Sequence, residues 1–575
     1  MKFILSVFRF FHHRLFVMDD RLILILAGIA AGMSSGLAAV ALRLSLEWSL
    51  TWLEAYRHLW WAVILPGAGA CLSSIYLEKG VRECAGHGVP EVIYAVSRYG
   101  GLLRFRSTYS RLLSSFLTIG SGGSAGPEAP VVMSGSAIGS NIGKWLKLND
   151  RQRVTLVGCG AAGAIAAIFN APLAGLVFSV EVILGEWKIV RIIPIAIAAV
   201  AGAEVSLAIV PEQVLFHHQP FDVGLRDVMA CLCFGAVTAL VSIAFMRVLR
   251  LSGTVAKQVP LPFWAKAFLG GCAVGVMALG LPVIMGEGYH HIQAMISGHF
   301  SLGLSLTCLA LGLKMLATAM TLGWGGSGGV FAPCLVLGSL TGVVFHSGMT
   351  ALLPESGFAG QGAYALIGMT GLISGVMQAP LTGIFLILEI TNGYETILPL
   401  IAVSAVSSTI SHYVEPASFY FRELIEKGQF LRPGTDARIL ADLNLSEVVR
   451  TDYEPVDENM VLRDFIAVIK TSSQDYFPVI SKGSGAYRGM IRLSAVRAYA
   501  LNPMMHDMVL VSQIMDTGMA TVSWENDLGD VIELMDLHRA DALPVVEDGR
   551  FGGMILKTRI LDLYRRELIM QTSVH

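Results

Sequence analysis

Apolar residues in the first part of the chain run in blocks of helix length rather than in the one-sided stripe of a water-soluble helix. The blocks fall near 22–50, 60–78, 154–184, 191–211, 226–250, 263–285, 303–321, 333–352, 362–375, 380–391 and 396–413. A helix needs roughly 20 apolar residues to cross the hydrocarbon core, so the longer blocks predict spanning helices. Shorter blocks such as 380–391, and 333–352 with glycines before it, predict helices that stop inside the membrane. Backbone groups freed in that way are tolerated only where protein or a wet cavity satisfies them. Paired, interrupted segments of this kind mark the binding sites of transporters.

The chain repeats itself. GGSAGPEAPVVMSGS at 122–136 aligns without gaps on GGSGGVFAPCLVLGS at 325–339, and NAPLAGLVFSVE at 170–181 matches QAPLTGIFLILE at 378–389 in the same order. Two membrane repeats, about 22–212 and 223–432, are therefore expected inside a domain covering 22–432. From about 440 the character changes to charged, mixed α/β sequence, which is also duplicated. Pro478 corresponds to Pro544, and RGMI at 488–491 to GGMI at 552–555. Two small βαβ-like units, about 443–505 and 510–570, are expected within a soluble region 433–575.

Composition sharpens this picture. Of 575 residues 54% are hydrophobic and only 15% charged, an excess in the apolar direction alone. A net charge of −2 excludes a nucleic-acid partner, which needs concentrated Lys and Arg. The eight cysteines, Cys71, Cys84, Cys159, Cys231, Cys233, Cys272, Cys308 and Cys334, lack the paired spacing of metal sites or disulfide frameworks and read as small core residues. No nucleophile-base pair, metal-ligand spacing or phosphate loop stands in the soluble sequence, so an enzyme is not expected. The opening residues 1–21 are apolar and basic without a cleavage site, which predicts an interfacial helix. Lys2, Arg9, Arg14 and Arg21 precede the first apolar block, placing the N-terminus, and with it the C-terminal region, in the cytoplasm.

Each Gly-rich block ends in a helix start, where unpaired N–H groups and about half a positive charge form an anion site. Gly126-Pro127 and Gly329-Val330-Phe331-Ala332-Pro333 fit that role, because glycine lets the backbone approach and proline needs no N–H in a first turn. Close helix packing through small residues is the alternative. Its occurrence at both repeats favours the anion site.

Six blocks in order, GHGVPEV (86–92), GSAGPEAP (123–130), FNAPLAG (169–175), GGVFAP (328–333), APLTGIFLILE (379–389) and SFYFRELIEKG (418–428), resemble the CLC chloride channels and transporters. The resemblance covers nearly the whole chain. It implies an all-α multi-pass membrane fold of two inverted repeats with broken helices, followed by a soluble α/β region that looks like a CBS pair. It also implies a homodimer in the plasma membrane with one anion path per subunit. The central anion site would be formed by the amides of Val330 and Phe331, the hydroxyl of Tyr420 and the loop Gly86-His87-Gly88-Val89-Pro90. His87 stands where most members have serine. It could offer an N–H or a charge to the anion, or donate to a nearby carbonyl, and both roles stay open.

Two further departures concern protons. The family's outer glutamate, which blocks the path and carries the proton, is replaced in Gly123-Ser124-Ala125-Gly126-Pro127 by Ala125. Its inner glutamate is replaced by Val182, with Glu181 just before it. Passive, uncoupled flow of chloride or a similar small anion is the expectation. The alternative is anion/proton antiport by a relocated carboxylate, for which Glu128 is the candidate, although a dipole-neutralising role at its helix start is the expected one. A membrane sensor built on the CBS pair, with no conduction, is a third reading. Metals and cofactors are not expected. The adenine nucleotide often bound by such pairs is disfavoured because Arg492-Leu493-Ser494-Ala495 and Leu556-Lys557-Thr558-Arg559 lack the acid that grips a ribose.

Overall fold

A computed structural model describes residues 20–56, 60–83, 88–211, 216, 221, 224–300, 302–354, 357–426, 445–526 and 528–572. The chain divides into two units. The helix expected at the extreme N-terminus lies outside the described residues up to Asp20, where the first helix begins.

In the first unit the opening repeat contributes α1 (Asp20–Tyr56), α2 (Leu65–Ile75), α3 (Val89–Arg98), α4 (Ser107–Gly120), α5 (Glu128–Trp145), α6 (Asp150–Phe169), α7 (Pro172–Phe178) and α8 (Ile189–Ile209). The second contributes α9 (Leu225–Gln258), α10 (Phe263–Ala278), α11 (Tyr289–Ile296), α12 (Leu304–Gly323), α13 (Phe331–Leu352), α14 (Gln361–Met377), α15 (Pro380–Thr391), α16 (Ile397–Val414) and α17 (Phe419–Glu426). Among the described residues seven helical stretches are long and apolar enough to cross a membrane, while α7, α10 and α15 belong to shorter apolar ones.

The block 154–184, continuous in hydropathy, is broken in the structure. Asn170 ends α6 in the left-handed region at φ 54°, and Pro172 opens α7. Gln378, at φ 52°, and Pro380 do the same between α14 and α15. A proline cannot donate into the preceding turn, so each pair stops one helix and starts the next at an angle. At its other end α6 begins with a reciprocal cap: Gln152 N–H donates to Asn149 Oδ1 at 2.9 Å, and Asn149 N–H donates to Gln152 Oε1 at 3.2 Å.

The two repeats pack alike. α5 lies on α6 and α13 on α14; α1 packs on α8 and α9 on α16; α7 meets α15 across the repeats. α6 and α14 are buried over nearly their whole length. Their neighbours come close because glycines face each other. A Cβ on Gly160 would stand 1.9 Å from the Gly135 carbonyl oxygen, and one on Gly368 would stand 2.2 Å from that of Gly338.

The second unit carries its duplication into the strand register. β1 (Val456–Asp457) pairs in parallel with β2 (Tyr476–Ile480), which pairs antiparallel with β3 (Tyr487–Arg492), and β4 (Ala542–Glu547) pairs antiparallel with β5 (Arg550–Leu556). Pro478 sits opposite Met490 and Pro544 opposite Met554, each followed by a register shift one residue later. Val522 bridges Val545 in parallel as Val456 pairs with Val479.

Candidate functional site

The two Gly-rich blocks meet in the interior. Gly126 N–H donates to the Gly329 carbonyl at 2.8 Å, and Gly329 N–H returns the bond to Gly126 at 2.7 Å. Hydroxyls of the preceding helices hold both blocks. Ser124 N–H donates to Thr321 Oγ1 and Ser327 N–H to Thr118 Oγ1, each at 3.1 Å. Ser124 and Thr318 share a hydroxyl contact at 3.0 Å, and Ser114 and Ser327 one at 2.8 Å. A Cβ at Gly126 would lie 2.0 Å from Glu128 Oε2 and 2.9 Å from Ala332 Cβ, so a side chain there would displace the carboxylate.

This junction fixes where two helices begin. α5 starts at Glu128 and α13 at Phe331, neither with a side-chain cap from the residue before it. First-turn N–H groups at such a start are the kind of donor that can meet an anion. Val330 and Phe331 are fully buried. The Phe331 ring packs at 5.5 Å from Phe169 and 6.3 Å from Phe178, so the first repeat supplies its walls.

Gly88, Val89 and Pro90 open α3, with Gly88 at φ 83° and a Cβ there 3.0 Å from Met133 Cβ of α5. The turn therefore presses on the helix that begins at Glu128. Gly86 and His87 lie outside the described residues. Tyr420 on α17 is buried, within electrostatic reach of Cys334 and Glu128. The structure thus joins the block 124–128 to Gly329 and Ala332 at the start of α13 and sets Gly88 against α5.

Ala125 is buried and Ser124 is held by Thr318 and Thr321, so neither presents a charge. Glu128 behaves otherwise than a residue serving only its own helix. Its side chain is buried and crosses to the other repeat, where Ala332 N–H approaches Oε2 at 3.4 Å, while Tyr289 Oη donates to Oε1 at 2.5 Å. The carboxylate lies between the starts of α5 and α13, and both stabilise its charge.

At the inner position Val182 is buried on a π turn, Ser179–Leu184. Glu181 reaches α15, accepting from Leu381 N–H at 3.2 Å, Thr382 N–H at 2.7 Å and Thr382 Oγ1 at 2.7 Å. Glu389 reciprocates on α7, accepting from Leu173 N–H at 2.9 Å and Ala174 N–H at 2.7 Å. Each carboxylate caps the short helix of the other repeat. Glu181→Ala is accordingly expected to lower stability by about 2 kcal/mol, the scale of hydrogen bonds to a charged group, with the ratio of anion to proton movement unchanged. Thermal unfolding in detergent and flux in liposomes check both halves.

Sequence reasoning missed Tyr289, Glu287 and Lys314. A cavity of about 520 Å³ has Pro127, Glu287 and Tyr289 among its walls, together with Arg43, Glu47 and His291. Lys314 is fully buried on α12, and its Nζ donates to the carbonyls of Ile284 at 2.9 Å and Gly286 at 3.0 Å. A signal for it was present, since Lys314 is the one charge in Leu304–Gly323 and an ionisable residue at membrane depth is a functional candidate by default. Tyr289 gave none, being an ordinary aromatic in GEGYHHIQ.

In the second unit a cavity of about 980 Å³ is lined by Arg450, Arg492, Arg497, Lys557, Asp475 and Asp541 among others. Arg450 is paired with Asp452 and Lys557 with Asp536.

Comparison with known proteins agrees with this architecture. The family model described as voltage gated chloride channel matches residues 68–412, and the CBS domain model matches 511–566. A ClcB-like chloride channel protein of Ralstonia nicotianae is 29% identical over 371 residues, covering 64% of this chain and 86% of that one. The H(+)/Cl(−) exchange transporter ClcA of Vibrio vulnificus is 32% identical over 361 residues, covering 60% and 75%. The crystal structure of a slow cyanobacterial Cl−/H+ antiporter shares the fold with a TM-score of 0.64 at 23% identity, covering 72% of this chain and 99% of that one.

Proposed function

The chain belongs to the voltage-gated chloride channel (CLC) family, and from that premise we propose that it passes chloride or a similar small anion down its gradient, through a path gated by Glu128. Members of the family are transporters or channels rather than enzymes, and anion transport across the membrane is what the family does. The observation that carries the gate is the Glu128 carboxylate against the Ala332 N–H. A carboxylate there takes up the donors that a passing anion needs, so the two compete.

Passive flow is supported from the inner side. Val182 has no proton to give, and Glu181 is engaged as a helix cap. The second reading, anion/proton antiport, is favoured by Glu128 itself, because a carboxylate that trades places with an anion can carry a proton.

Reversal potentials in reconstituted membranes under opposed chloride and proton gradients separate the two. A potential set by chloride alone is expected. One that moves with the proton gradient, and ceases to in Glu128→Gln, would establish antiport instead. Liposomes that release no anion would return the sensor reading. We propose likewise that the protein is a homodimer with one path per subunit, in the plasma membrane with cytoplasmic termini.

For the CBS pair we propose a structural role in pairing subunits, without nucleotide. Neither Ala495 nor Arg559 can grip a ribose, and Arg450 and Lys557 in the cavity wall already face Asp452 and Asp536. Calorimetric titration of the full protein with ATP and AMP is expected to give no binding at micromolar concentrations. Micromolar binding would overturn this.

A further inference from the structure

We propose that Tyr289 is a positioning residue for the gate, its phenol latching the Glu128 carboxylate against the start of α13. The inference rests on the reading of Glu128 as the group that competes with the anion.

The two carboxylate oxygens have different partners. Oε2 faces Ala332 N–H at 3.4 Å, and Oε1 accepts from Tyr289 Oη at 2.5 Å. With only the first contact the carboxylate could turn about its last torsion, a soft one. With both, its plane is set and it stays where an anion would bind.

Tyr289 itself is held from three sides. Its ring meets the Phe216 ring edge-on, with centroids 6.1 Å apart and planes at 71°. The preceding loop is tied to α12 by the two Lys314 bonds to Ile284 and Gly286. Gly288 turns at φ 80°, where a Cβ would stand 2.7 Å from Val336 Cγ2 of α13, so the loop is pressed onto the helix whose start receives the carboxylate. A hydroxyl placed this firmly on a buried carboxylate differs from an aromatic that fills space. Tyr289 and Pro127 both line the cavity of about 520 Å³, which puts the latch beside the gate's own helix start.

A hydrogen bond to a charged acceptor is worth roughly ten- to a hundredfold in an equilibrium constant. Tyr289→Phe should therefore lower the half-saturating chloride concentration of anion flux by about tenfold, with the maximal rate within about twofold of wild type. Tyr289→Leu, which also lacks the donor, should do the same. In a Glu128→Gln background Tyr289→Phe should add nothing, a non-additivity that a packing role would not produce. If Glu128→Gln alone leaves half-saturation unchanged, the gate reading fails and the latch with it. If Glu128→Gln shifts half-saturation and Tyr289→Phe does not, the latch alone fails. A shift with Leu but not with Phe would mean that the ring only packs.

Discussion

Glu128→Gln is expected to bind chloride about thirtyfold more tightly than the wild type and to pass it with no response to the proton gradient. The side chain keeps its size, so the Gly126–Gly329 junction and the starts of α5 and α13 should stay in place. What goes is a negative charge seated on the N–H groups that the anion needs. Helix N-termini stabilise a carboxylate by up to about 2 kcal/mol, and about 1.4 kcal/mol is tenfold in affinity, which gives the thirtyfold figure. Chloride titration calorimetry on purified protein reads the affinity directly. An affinity equal to wild type would mean that Glu128 only neutralises the dipole of α5, and the anion path would need another gate.

The second large effect is on stability. Gly160→Ala should destabilise the membrane unit by about 3 kcal/mol, because its Cβ would stand 1.9 Å from the Gly135 carbonyl oxygen and no side chain can swing aside. Gly368→Ala meets Gly338 in the matching place of the second repeat at 2.2 Å and should behave alike. Gly312 provides the control, since nothing lies within 4 Å of a Cβ there. Gly312→Ala should leave stability unchanged or raise it slightly, because alanine favours a helix by roughly 0.5–1 kcal/mol over glycine. Thermal unfolding of detergent-solubilised protein compares the three. Equal melting temperatures for Gly160→Ala and Gly312→Ala would show that α5 and α6 can separate without loss.

Much of this was legible in the chain because it depends on neighbours in sequence. The breaks at Asn170-Ala171-Pro172 and Gln378-Ala379-Pro380 follow from proline's missing donor, although the run 154–184 hid the first of them from a hydropathy reading. The Gly-rich blocks announced helix starts at 128 and 331. Pro478 and Pro544 announced two equivalent units, and their partners Met490 and Met554 stand in equivalent register.

The direction of the Glu128 carboxylate was not legible. Its place in the first turn of α5 made dipole neutralisation the natural expectation, and only packing sends it to Ala332, 204 residues on, and to Tyr289, 161 residues on. The exchange of caps by Glu181 and Glu389 is equally non-local, since each serves the opposite repeat.

By itself, then, the order of residues determined where helices start, stop and recur, since backbone sterics and hydrophobic period act over a few positions. Tertiary structure alone decided which acid faces which amide. That choice is made by folding one repeat onto the other, and no periodicity within either repeat encodes it.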